Sequence, residues 1–526
     1  MNLIRTVSTI GGLTLVSRIL GMVRDMLMAT FVGAGMASDA FLIAWRLPNL
    51  FRALFAEGAM AAVFVPMFNR AMAQGEQEEP GSGLAAAIGF ASQILSVLFP
   101  VLVLFTIIMM LGAGAIVYMM TGGFPDGGAE KFELARHLTI IAFPYLGLIS
   151  LVSLLGGILN SLNRFWVNAA APILLNVAMI VALLFFRGET PVDTAQTQAI
   201  AVTLSGVIQL LWLIFACRSA GVVLRLSWPR LTPQVKTMLA LIAPAAIGQG
   251  AIQINLVIST SLAARFLNQG AISWIYYADR LNQLPLGIIG IGVGTAILPL
   301  LSRQIGGGDV QAANDTQNRA LELALFLAMP AAVALGFAGV PIVRGLLQHG
   351  VFHTQDTAQT AAVLAAFASG IPAYVMIKVL TPGFYARADT KTPVRLAMLS
   401  MLVNLVGNLA LIWPLGHVGV GIATALSAWV NVALLYGTLH KRGLLTLDAR
   451  FLGKIWRICG ASAVMGGALW FGGAAVDPWL TGNVLHRGAA LAAVCGAGGL
   501  VYALASIGFG AYRLSELKAV LRRRAA

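Results

Sequence analysis

The chain has 526 residues, 59% of them hydrophobic and only 10% charged, with a mean hydropathy of +0.85. Soluble proteins carry roughly 25% charged residues, so a soluble globule is excluded. At about 20 residues per membrane-spanning helix, the chain accommodates about fourteen spans with short connections, and no sizeable soluble domain. The net charge of +14, from 34 Lys and Arg against 20 Asp and Glu, raises nucleic acid or anionic lipid as partners until the charges are placed. Cys217, Cys459 and Cys495 lie far apart with no CxxC pair, which points to neither a disulfide framework nor a metal site.

Taken in chain order, the apolar runs predict spans over 8–32, 38–70, 84–118, 134–160, 165–187, 197–217 and 236–264. Seven more follow over 272–302, 318–344, 360–386, 394–414, 418–439, 452–473 and 486–510. Charges interrupt the first apolar run and no A-x-A site follows, so it is read as a span rather than a removable signal peptide. The fold class is therefore all-α, a polytopic membrane protein of about 14 transmembrane helices. An even number of spans puts both termini on one side, and the connections on that side hold 22 Lys and Arg against six on the other, Lys131, Arg136, Arg187, Arg265, Arg344 and Arg487. Positive residues near span ends stay in the cytoplasm. Both termini are accordingly expected there, and topology accounts for most of the net charge without nucleic acid.

A repeat is visible. RLPNLFRALFAEGAMAAVFVP, Arg46 to Pro66, is echoed by RLNQLPLGIIGIGVGTAILP, Arg280 to Pro299. Pro144 precedes Asn176 by 32 residues, as Pro372 precedes Asn404, and the two offsets, 234 and 228, agree closely. The expected organisation is an N-terminal six-helix lobe over 1–220, a second over 221–445, and two additional helices with a basic tail over 446–526. Repeated halves with Gly- or Pro-interrupted helices are a pointer to a transporter.

Six cations fall inside spans: Arg18, Arg24, Arg46, Arg52, Arg280 and Lys378. Each costs about 2.5 to 3.5 kcal/mol at the centre of a helix on insertion scales. Intramembrane acids are fewer, chiefly Asp25, Asp39, Glu57 and Asp279, which predicts a cationic cavity for an anion. Seven-residue spacing puts Ser17 with Arg24, Arg18 with Asp25, and Asp39 with Arg46 on shared helix faces. The last two pairs read as acids holding their cations, leaving Arg24 and Arg52 most available. Pro48 beside Asn49 removes a backbone donor, tolerable at membrane depth only against protein or a water-filled cavity. The planar guanidinium fork suits a diphosphate, although sulfated or nucleotide anions satisfy the same geometry.

Other motifs read as structural. GIIGIGVG, Gly287 to Gly294, lacks the third glycine spacing of a phosphate loop and follows no strand, which leaves close helix packing. No Walker A sequence is present, and His349 and His353 read as loop residues. Asn404 and Asn408, one turn apart, offer either carbonyl oxygens to a cation or interhelical hydrogen bonds.

SRILGMVRD, GAGMASDAF, RLPNLFRALFAEGA, SWIYYADRL and PGFYARADTKTPV together resemble the signature segments of the bacterial lipid II flippase family, MurJ or MviN, essentially end to end. The resemblance implies the fold of the multidrug/oligosaccharidyl-lipid/polysaccharide (MOP) exporters, with two C-terminal helices bordering a lipid-tail groove. It implies translocation of the undecaprenyl-diphosphate-linked peptidoglycan precursor, lipid II, across the inner membrane by alternating access, without enzymatic chemistry. Matched to the family's essential cavity residues are Ser17, Arg18, Arg24, Asp39, Asn49, Arg52, Ser273, Asp279 and Arg280; Arg46 stands where some members have Lys, and Gln283 where some have Glu. With Lys378 these form the expected substrate site. A sodium site described for some members maps to Asn255, Asn404, Asn408, Val420 and Thr424, here without any carboxylate. Sodium is the one cofactor under consideration. The implied partners are lipid II, inner-membrane phospholipids and other cell-wall synthesis proteins. The competing readings are a polysaccharide-lipid or multidrug exporter of the same fold, and a membrane enzyme of lipid-linked intermediates, which would need clustered carboxylates or a nucleophile.

Overall fold

The structure, a computed structural model, describes residues 3–52, 60–125, 128–480 and 482–511. Glu57, Asp126 and the basic run Arg522 to Arg524 lie outside the described residues. The first helices are α1 (Leu3–Phe31), α2 (Met36–Phe51), α3 (Met60–Glu78), α4 (Gly83–Leu111), α5 (Ala113–Thr121), α6 (Gly128–Ala142), α7 (Pro144–Ser161), α8 (Phe165–Phe185) and α9 (Pro191–Ser219). Then come α10 (Pro233–Phe266), α11 (Ala271–Gly306), α12 (Val310–Phe337), α13 (Gly339–Leu347), α14 (Thr354–Ala368), α15 (Ile371–Tyr385), α16 (Lys391–Lys441), α17 (Ala449–Leu480) and α18 (Val484–Gly508).

Every expected span has helix beneath its described residues, with 53–59 of the span over 38–70 lying outside them, and the differences lie at breaks. The span expected over 84–118 divides at Gly112 into α4 and α5, and the one over 318–344 divides at Ala338 into α12 and α13. The spans expected over 394–414 and 418–439 both fall in α16, which reverses direction at Gly416 (φ 58°, ψ −135°) just after Pro414. The reversal is tight, since a Cβ on Gly419 would collide with the Leu411 carbonyl and one on Gly407 would press on Ala423. Helix starts follow local chemistry. Thr190 and Asp193 form a reciprocal capping box at the start of α9, with Pro191 in the first helical position, and Thr232 and Pro233 open α10 similarly.

Eight helical stretches among the described residues are long and apolar enough to cross a membrane. The most apolar window, within α4, has a mean hydropathy of 2.9 yet only 11% of it is buried inside the protein. Leu111 is 84% exposed, with Leu104 and Ile108 bare on the same helix. An apolar helix with an unburied surface is solvated by lipid, and the chain is a polytopic membrane protein.

The chain divides into two compact units, Met1–Ser273 and Trp274–Ala526. The border is one of packing rather than of repeat, because α10, which the repeat assigns to the second half, packs against α2, α3, α4 and α5. In the first unit Phe64 lies against Phe68 and Phe90, with ring centroids 5.6 and 5.9 Å apart, and Gly157 of α7 lets that ring approach the backbone. In the second, Leu301, Leu325, Val379, Leu380 and Leu439 share one core with Phe451 of α17. Close approach at small residues is how helices associate where lipid supplies no hydrophobic drive.

Candidate functional site

Asn176 of α8 organises the polar face of α1. Its side-chain oxygen accepts from Arg24 Nη1 at 3.0 Å, and its amide nitrogen donates to the Ser17 carbonyl at 2.9 Å. Ser17 and Arg24 do share a helix face, and Asn176 is what joins them. The Arg24 guanidinium also donates through Nε and Nη2 to one oxygen of Asp25, at 3.1 and 2.7 Å, and both residues are buried. The expected pairing of Arg18 with Asp25 is thus replaced by Arg24 with Asp25, while Arg18 is exposed. A long guanidinium stem folds back onto its own chain neighbour, which face counting does not anticipate.

Asp39 is fully buried and accepts four hydrogen bonds. They come from Lys131 Nζ at 3.1 Å, the Gly270 amide at 2.7 Å, the Ser273 amide at 3.0 Å and the Ser273 hydroxyl at 2.6 Å. The carboxylate therefore sits at the N-terminus of α11 and caps it from a distant helix, where backbone donors and the helix dipole favour negative charge. Its cation is Lys131 rather than Arg46. Lys131, expected in an outer connection, is instead buried in α6 with its ammonium 4.7 Å from the Phe124 ring centroid. Arg46 donates to the Leu256 carbonyl of α10 at 2.9 Å.

Farther along α2 the helix continues through Pro48, and Arg52 Nε donates to Asn49 Oδ1 at 3.0 Å, which sets the plane of the guanidinium. On α11, Gln283 Nε2 donates to Asp279 at 2.5 Å, one turn away. That is the bond a glutamate at this position would lack. Arg280 lies over the Tyr276 ring, 5.0 Å from its centroid, a cation–π contact worth about 0.5–2 kcal/mol. Lys378 of α15 is exposed, and its stem crosses α11 at the glycine run: a Cβ on Gly290 would meet Lys378 Cδ and Cε at 2.8 and 2.9 Å. The close packing expected of GIIGIGVG is the packing of a lysine stem against bare backbone.

The amide set lies largely within α16. Asn408 donates to Asn404 Oδ1 at 3.0 Å, Asn404 to Thr424 Oγ1 at 3.3 Å, and Thr424 to the Val420 carbonyl at 2.7 Å. Asn255 belongs to α10 and the first unit. The oxygens of Asn404, Thr424 and Val420 already accept hydrogen bonds and no carboxylate joins them. Among the described residues no group of three or more His, Cys, Asp or Glu stands ready for a metal. A neutral set without a carboxylate offers little to a hard cation that draws its affinity from ligand charge.

Sequence reasoning missed Lys131, Asn176 as the organiser of Arg24, and a charged cluster in the second unit. There Glu322, buried in α12, takes ion pairs from Arg319, from Lys454 Nζ at 3.2 Å and from Arg450 Nε at 3.6 Å, while Arg319 also pairs with Asp448. These cations, expected simply as topology markers, tie the loop before α17 to α12.

The helices take the fold of the MOP exporters, a class of membrane proteins. A solved lipid II flippase MurJ in an inward closed conformation superposes with a TM-score of 0.75 at 24% identity, covering 95% of this chain and 97% of that one. An inward-facing multidrug resistance MATE transporter gives 0.64 at 18% identity, covering 81% and 95%. Residues 28–489 match the family model for the lipid II flippase MurJ. A probable lipid II flippase MurJ of Rhizobium tropici is 42% identical over 89% of this chain and 87% of its own, and one from Rhizobium meliloti is 39% identical over 100% and 97%. The chain belongs to the MurJ lipid II flippase family.

Proposed function

We propose that this protein carries lipid II across the bacterial inner membrane by alternating access, with both termini in the cytoplasm. Family membership over residues 28–489 carries the reading, and the arginines supply its chemistry. Arg18, Arg52 and Arg280 are the groups that meet the diphosphate, because a guanidinium offers two parallel donors to a pair of phosphate oxygens. Asn49 and the Tyr276 ring orient two of those guanidiniums. Arg24 serves differently: held by Asp25 and Asn176, it fixes α1 against α8. Asp39 with Lys131 and Ser273 holds the N-terminus of α11, and Asp279 with Gln283 shapes its next turns. Lys378 adds an exposed cation whose stem is seated on Gly290. A multidrug exporter of the same fold would concentrate acids for cationic drugs, and this chain concentrates arginine. No bond of the cargo is made or broken.

The deciding experiment depletes the protein in living cells and follows lipid II on the outer leaflet with an impermeant probe. Outer-leaflet lipid II should collapse while the inner pool rises. Unchanged exposure after depletion would overturn the reading.

A further inference from the structure

Between α9 and α10 the chain runs without helix over 221–232 and lies along α4 as a strap. The Arg225 amide donates to Ser92 Oγ at 3.2 Å, the Ser227 amide to Ser96 Oγ at 2.9 Å, and the Thr232 hydroxyl to Gln93 Oε1 at 3.1 Å. These ties use the few polar side chains of α4, so the strap is a built feature rather than a slack connection. Trp228 is 83% exposed and Leu231 is exposed, while Leu226, 62% exposed, and Val223 lie at the rim of the pocket below. Arg218, Arg225, Arg230 and Lys236 accompany it, all exposed, with no Asp or Glu anywhere from 218 to 236.

Beneath the strap is an apolar pocket of about 270 Å³. Val222 and Leu224 of the strap roof it, Phe99 of α4, Leu154 of α7 and Ile214 of α9 wall it, and Arg218 is the one charged residue in its lining. A pocket with leucine walls takes hydrocarbon. A single guanidinium at its wall, followed along the chain by three further cations and no acid, selects an anionic head.

We propose that the strap and this pocket form a binding site for an anionic phospholipid, an acyl chain filling the pocket and the phosphate resting on Arg218. Trp228 and Leu226 then lie in the membrane interface, where an amphipathic indole is at home, and Arg225 and Arg230 add attraction to neighbouring anionic heads. The site lies wholly within the first unit and does not rest on the transport reading.

The test uses the full chain in lipid nanodiscs of phosphatidylcholine containing phosphatidylglycerol, with bromine on the acyl chains of one lipid or the other at equal mole fraction. The difference between the wild type and Trp228→Phe isolates the Trp228 fluorescence. Brominated phosphatidylglycerol should quench it preferentially, and Arg218→Gln should reduce that preference about fivefold, equivalent to the ~1 kcal/mol that one cation contributes at an anionic surface. Arg218→Lys, which keeps the charge and loses the fork, should retain part of it. Equal quenching by both lipids means ordinary annular lipid and overturns the site, as does the absence of quenching. A preference unchanged in Arg218→Gln overturns the assignment of the phosphate to Arg218.

Discussion

Asn176 and Asn404 occupy corresponding places in the two halves of the repeat, yet they are used in opposite ways. Asn176 accepts a hydrogen bond from a buried arginine and ties it to the backbone of α1. Asn404 accepts from another asparagine and donates to a threonine, within one hairpin of neutral side chains. The first unit thus keeps charge inside its helices, in Arg24 with Asp25 and Lys131 with Asp39. The same place in the second unit is polar but uncharged, and that unit's dense charge lies in the cluster around Glu322, which ties α12 to the loop before α17 and to α17 itself. Intramembrane charge is expensive and marks function, whereas a neutral interhelical hydrogen bond contributes on average only about 0.6 kcal/mol. The charged chemistry thus differs between the two units.

The largest expected effect comes from splitting a buried ion pair of the first unit. Removing Asp25 by Asp25→Asn deprives the Arg24 guanidinium of its counter-ion, and breaking a buried pair in this way costs about 3–5 kcal/mol. Asp39→Asn, which strands Lys131, should cost a similar amount. Thermal unfolding of purified protein checks both. The double substitution Arg24→Met with Asp25→Asn removes both charges and should recover most of the lost stability without recovering growth in cells depleted of the native protein. Full recovery of growth would make Arg24 a purely structural residue, and the contrast between the units would lose its functional meaning.

The existence and order of the helices were legible because a run of about twenty apolar residues has few alternatives in water or lipid. The breaks at Gly112 and Ala338 were not, since a brief interruption changes hydropathy very little. Lys131 falls in a connection on hydropathy because the apolar run begins after it. Hydropathy scores residues singly and has no means of seeing an aspartate and an aromatic ring waiting across the helix interface. Pairing at i+7 leaves Arg24 without an acid, while its partner is the adjacent Asp25. The repeat spacing did single out Asn176 and Asn404, but spacing alone carries no information about what each side chain touches.

A middle-sized effect should separate the two asparagines directly. Asn176→Leu removes an acceptor from a buried cation, for which hydrogen bonds contribute about 1.5–3 kcal/mol, and it also frees α1 from α8. Asn404→Leu removes two neutral bonds and should cost no more than about 1–2 kcal/mol. Melting temperatures of the two variants in the same detergent compare them, and complementation should fail only for Asn176→Leu. Equal losses would mean that charge is not what distinguishes the units.

The smallest expected effect concerns sodium and probes the second unit alone. Asn404, Asn408, Val420 and Thr424 are joined by hydrogen bonds that occupy the Asn404 and Thr424 side-chain oxygens and the Val420 carbonyl. A sodium ion entering there would have to break those bonds, lose its own water, and find no anionic ligand in return, so binding gains little from charge. The arginine excess of the first unit offers a different source of drive: a charge crossing the full membrane field gains about 2.3 kcal/mol per 100 mV. On the proposed transport cycle, the empty cationic form is drawn toward the negative cytoplasm, and an anionic cargo offsets the charge for the return. Replacing sodium by choline at constant membrane potential should therefore leave outer-leaflet lipid II nearly unchanged, while collapsing the potential at constant sodium should abolish it. Loss of transport on sodium removal alone, abolished further by Asn404→Leu, would show that the amide chain opens to a cation, and that the second unit holds the driving chemistry after all.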